Sequence, residues 1–177
     1  LPKVLHKIAG APLLHHAMRA GAAIEPERIV VVAGHGAEAV SKAVSAFDET
    51  AEVVIQAEQK GTGHAVMQAL PALEGFDGKV IVLYGDSPLI RPETLEAMLA
   101  APSDIVVLGF EPLDPARYGR LVVHSGHLYR IIEFKDATEE ERKITLCNSG
   151  VICADAKVLA RLVGGLGNSN ASGEYYL

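Results

Sequence analysis

A chain of 177 residues, nearly half of them hydrophobic, is long enough to bury one full core and reads as a single domain. No apolar run approaches the ~18 residues needed to cross a membrane. Lys3 and Lys7 lead into a mixed polar segment, unlike the apolar stretch of a secretory leader, so a soluble, cytoplasmic protein is expected. The formal charge of −6 argues against a non-specific nucleic-acid binder, which carries a basic stripe, yet leaves room for a locally basic site that takes a small anion.

In chain order, Leu13, Leu14, Ala17, Met18 and Gly21 fall at helical spacing after Pro12, a residue suited to a first helical turn. Residues 28–33 form a continuous apolar run of strand length, broken by Gly34-His35-Gly36. A helix follows with Ala37, Val40, Val44 and Phe47 on one face. A second run, 52–56, precedes a helix beginning near Thr62, with Ala65, Ala69 and Leu73 at steps of four. A third, 79–84, leads through Gly85-Asp86-Ser87-Pro88 into a helix from Pro92 to about Ala100, and a fourth, 104–110, is apolar on both faces. Strands without polar alternation, each followed by a helix, predict a doubly wound, Rossmann-like α/β sandwich whose mainly parallel sheet is covered on both sides. Its ligands are expected at the carboxyl ends of the strands.

After Pro112 the pattern changes. Segments 120–124 and 127–134 flank Ser125-Gly126 and read as a β-hairpin. Residues 136–143 are charged and predict a loop with a short helical turn. Residues 144–154 predict a strand, and Val158, Leu159, Leu162, Val163 and Leu166 mark a last helix before a loop rich in Gly, Asn and Ser. Cys147 and Cys153 are too few for a disulfide scaffold; on one strand they lie about 20 Å apart, beyond bridging reach, and are expected as buried thiols. The chain opens without an initiator Met and stops on the apolar Tyr175-Tyr176-Leu177, which reads as a piece of a longer protein.

Three places could carry chemistry. Gln56 to His64 is a strand end, a Gly-containing turn and a helix start. Glycine lets a ligand approach the backbone, free amides at a helix N-terminus bind oxygens, and Gln56 and Gln59 offer the amide groups a pyrimidine ring needs. The same residues also describe an ordinary turn capped by Thr62. Tyr84-Gly85-Asp86 ends the third strand, where Asp86 either holds Mg²⁺ or caps the turn before Pro88. Lys3, taken by itself, reads as a solvated surface charge. Zinc signatures, Cys/His nucleophile arrangements and Gly-x-Ser-x-Gly elbows are absent.

Seven segments in order then converge: Leu1-Pro2-Lys3-Val4-Leu5-His6; Gln56-Ala57-Glu58-Gln59 with Gly61-Thr62-Gly63-His64-Ala65; Tyr84-Gly85-Asp86 with Pro88-Leu89-Ile90; Tyr118-Gly119-Arg120; Lys135-Asp136-Ala137-Thr138; Asn148-Ser149-Gly150; and Gly173-Glu174-Tyr175-Tyr176-Leu177. Each alone is weak, but in this order and spacing they are specific. Over its whole length the chain resembles the uridyltransferase domain of the bifunctional bacterial enzymes that make UDP-N-acetylglucosamine for cell-envelope polysaccharides.

The resemblance implies transfer of uridylyl from UTP to N-acetylglucosamine 1-phosphate, with release of pyrophosphate. It assigns Gln56, Gly61 and Thr62 to uracil, with Tyr84 on the nucleotide side, and Asp86 to catalytic Mg²⁺. It reverses the bland reading of Lys3, which would meet the substrate phosphates. Gly119, Glu133, Asn148 and Tyr175 would line the amino-sugar pocket. It also implies that residues 1–177 are an incomplete nucleotidyltransferase domain, impaired in this form. The family's Gly-rich segment, Leu-Ala-Ala-Gly-x-Gly-Thr-Arg-Met, which forms a first strand and phosphate loop, is expected upstream. A second metal-binding Asn and a β-helix acetyltransferase domain with its trimer interface are expected downstream. Ser149 stands where the family's Asn-Thr-Gly motif has Thr. The rivals are another sugar-1-phosphate nucleotidylyltransferase and a non-catalytic nucleotide-binding module.

Overall fold

The computed structural model describes all residues, Leu1–Leu177. A 3₁₀ turn at Lys3–Leu5 leads into a two-residue hairpin, β1 (Lys7–Ile8) and β2 (Ala11–Pro12), which the sequence reading did not anticipate. Strands so short show no periodicity, and Pro12 argues against one. The predicted elements follow in order: α1 (Leu13–Ala22), β3 (Val30–Ala33), α2 (Ala37–Phe47), β4 (Glu52–Ile55), α3 (Thr62–Ala69), β5 (Lys79–Val82), α4 (Pro92–Ala100), β6 (Ile105–Phe110), β7 (Arg120–His124), β8 (His127–Ile132), α5 (Glu139–Arg142), β9 (Cys147–Asp155) and α6 (Ala156–Gly164).

Local chemistry explains several boundaries. Ser125 and Gly126 both have positive φ, 50° and 80°, as a two-residue hairpin turn of the type that matches strand twist requires. Strand β8 ends before Glu133 because the amides of Asp136 and Ala137 both donate to the Glu133 carbonyl, turning the chain. The short α5 is held by a capping box: Thr138 accepts from the Glu141 amide while the Glu141 carboxylate accepts from the Thr138 amide.

The α/β class, the parallel running of β3 with β4 and the hairpin follow the sequence reading; the antiparallel ladders of the larger sheet come from that hairpin and from β9. β3 and β4 pair in parallel. In the larger sheet β9 runs antiparallel to β5, β6 and β7, and β7 to β8. β5 and β6 therefore point the same way, with β9 inserted between them. The physical reason is that an unbroken apolar run reports burial of both faces, not strand direction; β9 is buried on both faces as a parallel strand would be.

Three apolar clusters cover these sheets. Leu5, Leu14, Met18, Ala33, Val40 and Val44 join α1 and α2 to β3. Leu95 and Met98 of α4 pack with Ala20 against Val151 and Cys153, on one face of β9. Val66, Leu159 and Val163, from α3 and α6, meet Ala154 on its other face. Both cysteines are buried and unbridged. No helix is long and apolar enough to cross a membrane. Between the two sheets lies a largely apolar cavity of about 810 Å³, lined by Val30–Ala33 of β3 and Lys79–Val82 of β5.

Leu95 is fully buried and ties α4 to β9. Leu95→Ala is expected to cost ~2–5 kcal/mol in urea unfolding, the range for emptying a core leucine site. A loss below ~1 kcal/mol would mean that α4 is not held through this contact.

Candidate functional site

The site occupies a break along one edge of β9. β6 pairs along one side of β9 as far as Cys147. On the opposite side β5 pairs with Ile152 to Asp155, while β7 reaches β9 only through Arg120 at Cys147. Between them β9 carries Asn148, Ser149 and Gly150 without a strand partner on that side. The chain leaving the end of β5 (Tyr84, Gly85, Asp86) and the chain entering β7 (Gly119) flank this stretch. Strand ends that diverge in this way are where α/β sheets bind ligands.

Tyr84 bridges the break. A Cβ on Gly150, whose φ is +83°, would come within 2.5 Å of the Tyr84 ring, so only glycine lets the ring lie there. Burial pushes the Tyr84 phenol pKa up, against a hydrogen bond with Thr62 that lowers it, and the charges of Glu133 and Asp86 add to the rise. One ring thus senses residues expected on both the nucleotide side and the sugar side.

On the side expected to take the nucleotide, Lys3 and Asp86 form an ion pair at 2.7 Å across 83 residues of chain. This hydrogen bond, then the Asp86 charge, holds the Lys3 ammonium pKa above the ordinary lysine value. The lysine that looked like a solvated charge is paired with the candidate metal ligand, and both border the 810 Å³ cavity together with Thr62 and Tyr84. Gln56 is buried; its amide donates to the Gly61 carbonyl at 3.2 Å and meets His64 Nδ1 at 3.0 Å. Gly61 has φ +103°, and a Cβ there would lie 2.5 Å from the Tyr175 carbonyl. The chain end braces this loop: the Tyr175 amide donates to Lys60 and its carbonyl accepts from Gly63, both at 2.8 Å, while the Leu177 amide donates to Thr62 Oγ1 at 3.1 Å. Tyr175, expected in the sugar pocket, makes these backbone contacts on the Gln56–Gly63 segment, with its ring 6.3 Å from His64.

On the other side the structure brings Gly119, Glu133 and Asn148 together. The Asn148 amide donates to the Gly119 carbonyl at 2.9 Å, and a Cβ on Gly119 would sit 3.0 Å from Glu133 Oε1. The Asn148 side chain accepts from the Gly150 amide at 3.0 Å, fixing its oxygen. Ser149 makes the equivalent bond to the Val151 amide at 3.1 Å, which a threonine hydroxyl also provides, so the Ser-for-Thr departure is mild. Glu133 opens on a polar cavity of about 540 Å³ shared with Arg117, Lys135, Arg142 and Glu174. Burial, then the Asp136 charge, raises its carboxyl pKa. Sequence reasoning missed Arg120, fully buried behind this cluster, because a single arginine in a strand carries no local mark of burial. No three His, Cys, Asp or Glu side chains converge as a ready-made metal cage.

The pattern of the MobA-like NTP transferase domain matches residues 2–146, which include Lys3, Gln56, Asp86 and Glu133. The chain belongs to this family. Bifunctional protein GlmU of Cereibacter sphaeroides is 65% identical over 179 residues, covering all of this chain and 39% of that protein. Bifunctional protein GlmU of Ruegeria pomeroyi is 63% identical over 179 residues, again with all of this chain and 40% of that protein. The chain thus spans about two fifths of the length of these curated relatives. A crystal structure of UDP-glucose pyrophosphorylase complexed with UDP-glucose superposes with TM-score 0.77 at 16% identity, over 99% of this chain and 75% of that one. That likeness is one of fold. The resemblance seen in the seven motifs is borne out.

Glu133 yields a test of this electrostatic picture. Its pKa lies above the ordinary glutamate value of 4.5 in the folded chain, so the unfolded chain releases this proton first as pH rises. From about 4.5 upward the folded state therefore loses stability on account of Glu133, and below 4.5 that cost is absent. Glu133→Gln should melt higher than the unsubstituted chain at pH 7 and show no such advantage at pH 4. Equal melting shifts at both pH values would contradict the assigned burial.

Proposed function

We propose that this chain is the catalytic uridyltransferase part of a longer enzyme, making UDP-N-acetylglucosamine and pyrophosphate from UTP and N-acetylglucosamine 1-phosphate. The observation that carries the reading is the Lys3–Asp86 pair at the strand end, set between the Gln56–Gly61–Thr62 loop and the Gly119–Glu133–Asn148 cluster. A phosphate oxygen of the sugar phosphate attacks the α-phosphorus of UTP. The new P–O bond forms as the bond from that phosphorus to the bridging oxygen breaks, and pyrophosphate leaves with its electron pair. No covalent enzyme intermediate is needed, so the protein contributes positioning and neutralisation of charge.

Gln56, Gly61, Thr62 and Tyr84 hold the uridine, the amides and small residues of the loop allowing close approach of the base. Lys3 meets the phosphates once it exchanges Asp86 for them. Asp86 is a partly exposed single carboxylate at a cavity edge, which fits Mg²⁺, a hard cation satisfied by one or two carboxylates plus phosphate oxygens. When bound, Mg²⁺ neutralises phosphate charge. Gly119, Glu133 and Asn148 take the sugar hydroxyls and acetamido group, with Tyr175 at the join to the nucleotide loop.

The Gly-rich segment expected from the resemblance suits the cavity between β3 and β5, since neither strand has a ladder on its second edge and both line the cavity with apolar side chains. On this reading the acetyltransferase β-helix and its trimer contacts belong to the rest of a cytoplasmic protein that supplies cell-envelope synthesis.

The test is magnesium-dependent pyrophosphate release by the full-length protein carrying this chain. Asp86→Ala should lower kcat by 10²-fold or more, the scale for removing one electrostatic stabiliser. Unchanged turnover would leave only a scaffold. N-acetylglucosamine 1-phosphate should be used well and glucose 1-phosphate poorly; comparable use of both would move the assignment to another sugar-phosphate transferase.

A further inference from the structure

Arg120 is 2% exposed and no carboxylate lies within ion-pairing distance of it. A guanidinium withdrawn from water without a counter-ion is costly, and apolar side chains of similar volume often fill such places with no loss of stability. The charge is spent instead on backbone oxygens. Nη1 donates to the Pro115 carbonyl at 3.3 Å and to that of Tyr118. Nη2 donates to the carbonyls of Ala116 and Arg142, both at 3.2 Å. Nη1 also points at Cys147 Sγ, 3.9 Å away, and the guanidinium lies 5.7 Å from the centroid of the Phe134 ring. Arg142 covers the same ring at 4.6 Å and donates from Nε to the Phe134 carbonyl. Nε of Arg120 has no partner.

Three of these contacts, those with Tyr118, Phe134 and Cys147, land next to a residue of the amino-sugar cluster. Gly119 follows Tyr118 in the chain, Glu133 precedes Phe134, and Asn148 follows Cys147. The three come from separate segments, a loop, a turn after β8 and the start of β9, and Arg120 touches the neighbour of each. Its planar fork reaches several carbonyls at once, which a lysine ammonium on a flexible stem does not reproduce. We propose that Arg120 is the positioning residue of the sugar pocket, setting Gly119, Glu133 and Asn148 in register without touching the substrate. This rests on the reading of those three residues as the sugar-binding cluster. It predicts a selective effect, because the Gln56–Gly61–Thr62 loop makes no contact with Arg120.

The experiment is steady-state kinetics of the full-length protein with Arg120→Gln, Arg120→Lys and Phe134→Leu, varying each substrate separately. Arg120→Gln should raise KM for the sugar phosphate tenfold or more while KM for UTP stays within twofold. Arg120→Lys should fall between Gln and the unsubstituted protein. Phe134→Leu, which removes the ring that the guanidinium faces on the residue after Glu133 while keeping an apolar filler, should raise the same KM severalfold, and it decides the matter if Arg120→Gln does not fold. Parallel rises in both KM values, or a lower Tm with both KM values unchanged, would reduce Arg120 to a structural part and overturn the proposal. Failure of the functional reading looks different: the unsubstituted protein would turn over another sugar phosphate, and the Arg120 effect would then appear in the KM for that one.

Discussion

Strand β9 supports most of what surrounds the site. Its backbone is shared among three neighbours, with β6 on one edge and β5 and then β7 on the other, and both of its faces are buried under helices. Because β5 departs at Ile152 and β7 arrives only at Cys147, the intervening residues present an edge that no strand fills. That break is a consequence of the ladder's geometry. It leaves Asn148 and Gly150 facing the ends of two other strands, and it gives Tyr84 a place to lie against a residue without a side chain.

The electrostatics of the site are uneven in a way that suits phosphate chemistry. On one side Lys3 and Asp86 compensate each other at the surface, where exposed pairs contribute little to stability. In the proposed function this pair gives way to phosphates and a cation. On the other side two groups are held at a cost: the Glu133 carboxyl, its pKa raised by burial, and the Arg120 guanidinium, paired only with carbonyls and a thiol. Costs gathered in one small volume, in a protein whose three apolar clusters are otherwise regular, point to a region kept for geometry over stability.

Much of this was legible in the chain alone. The apolar runs at β3, β5 and β6, the helical spacing of Val40 and Val44, and the Ser125-Gly126 turn marked the elements in their order, because burial and turn geometry impose local patterns. Gln56, Gly61 and Asp86 were identifiable as candidates from their place at strand ends. What the apolar runs left open was that β9 enters the large sheet antiparallel between β5 and β6, since it is as continuously apolar as a parallel strand would be. The β1–β2 hairpin was too short to leave a period. Tyr175, read as lining the amino-sugar pocket, also binds Lys60 and Gly63 through its backbone, a pairing between residues more than a hundred positions apart that no local signal encodes.

Element identity, turn positions and family membership were determined by the sequence itself, because propensity, burial period and motif order are properties of neighbouring residues. Tertiary structure alone decided that Lys3 meets Asp86 across 83 residues, that Arg120 is buried against Tyr118, Phe134 and Cys147, and that β9 leaves an edge open between β5 and β7. Those facts depend on how distant segments pack, and packing distances are not written in any window of the chain.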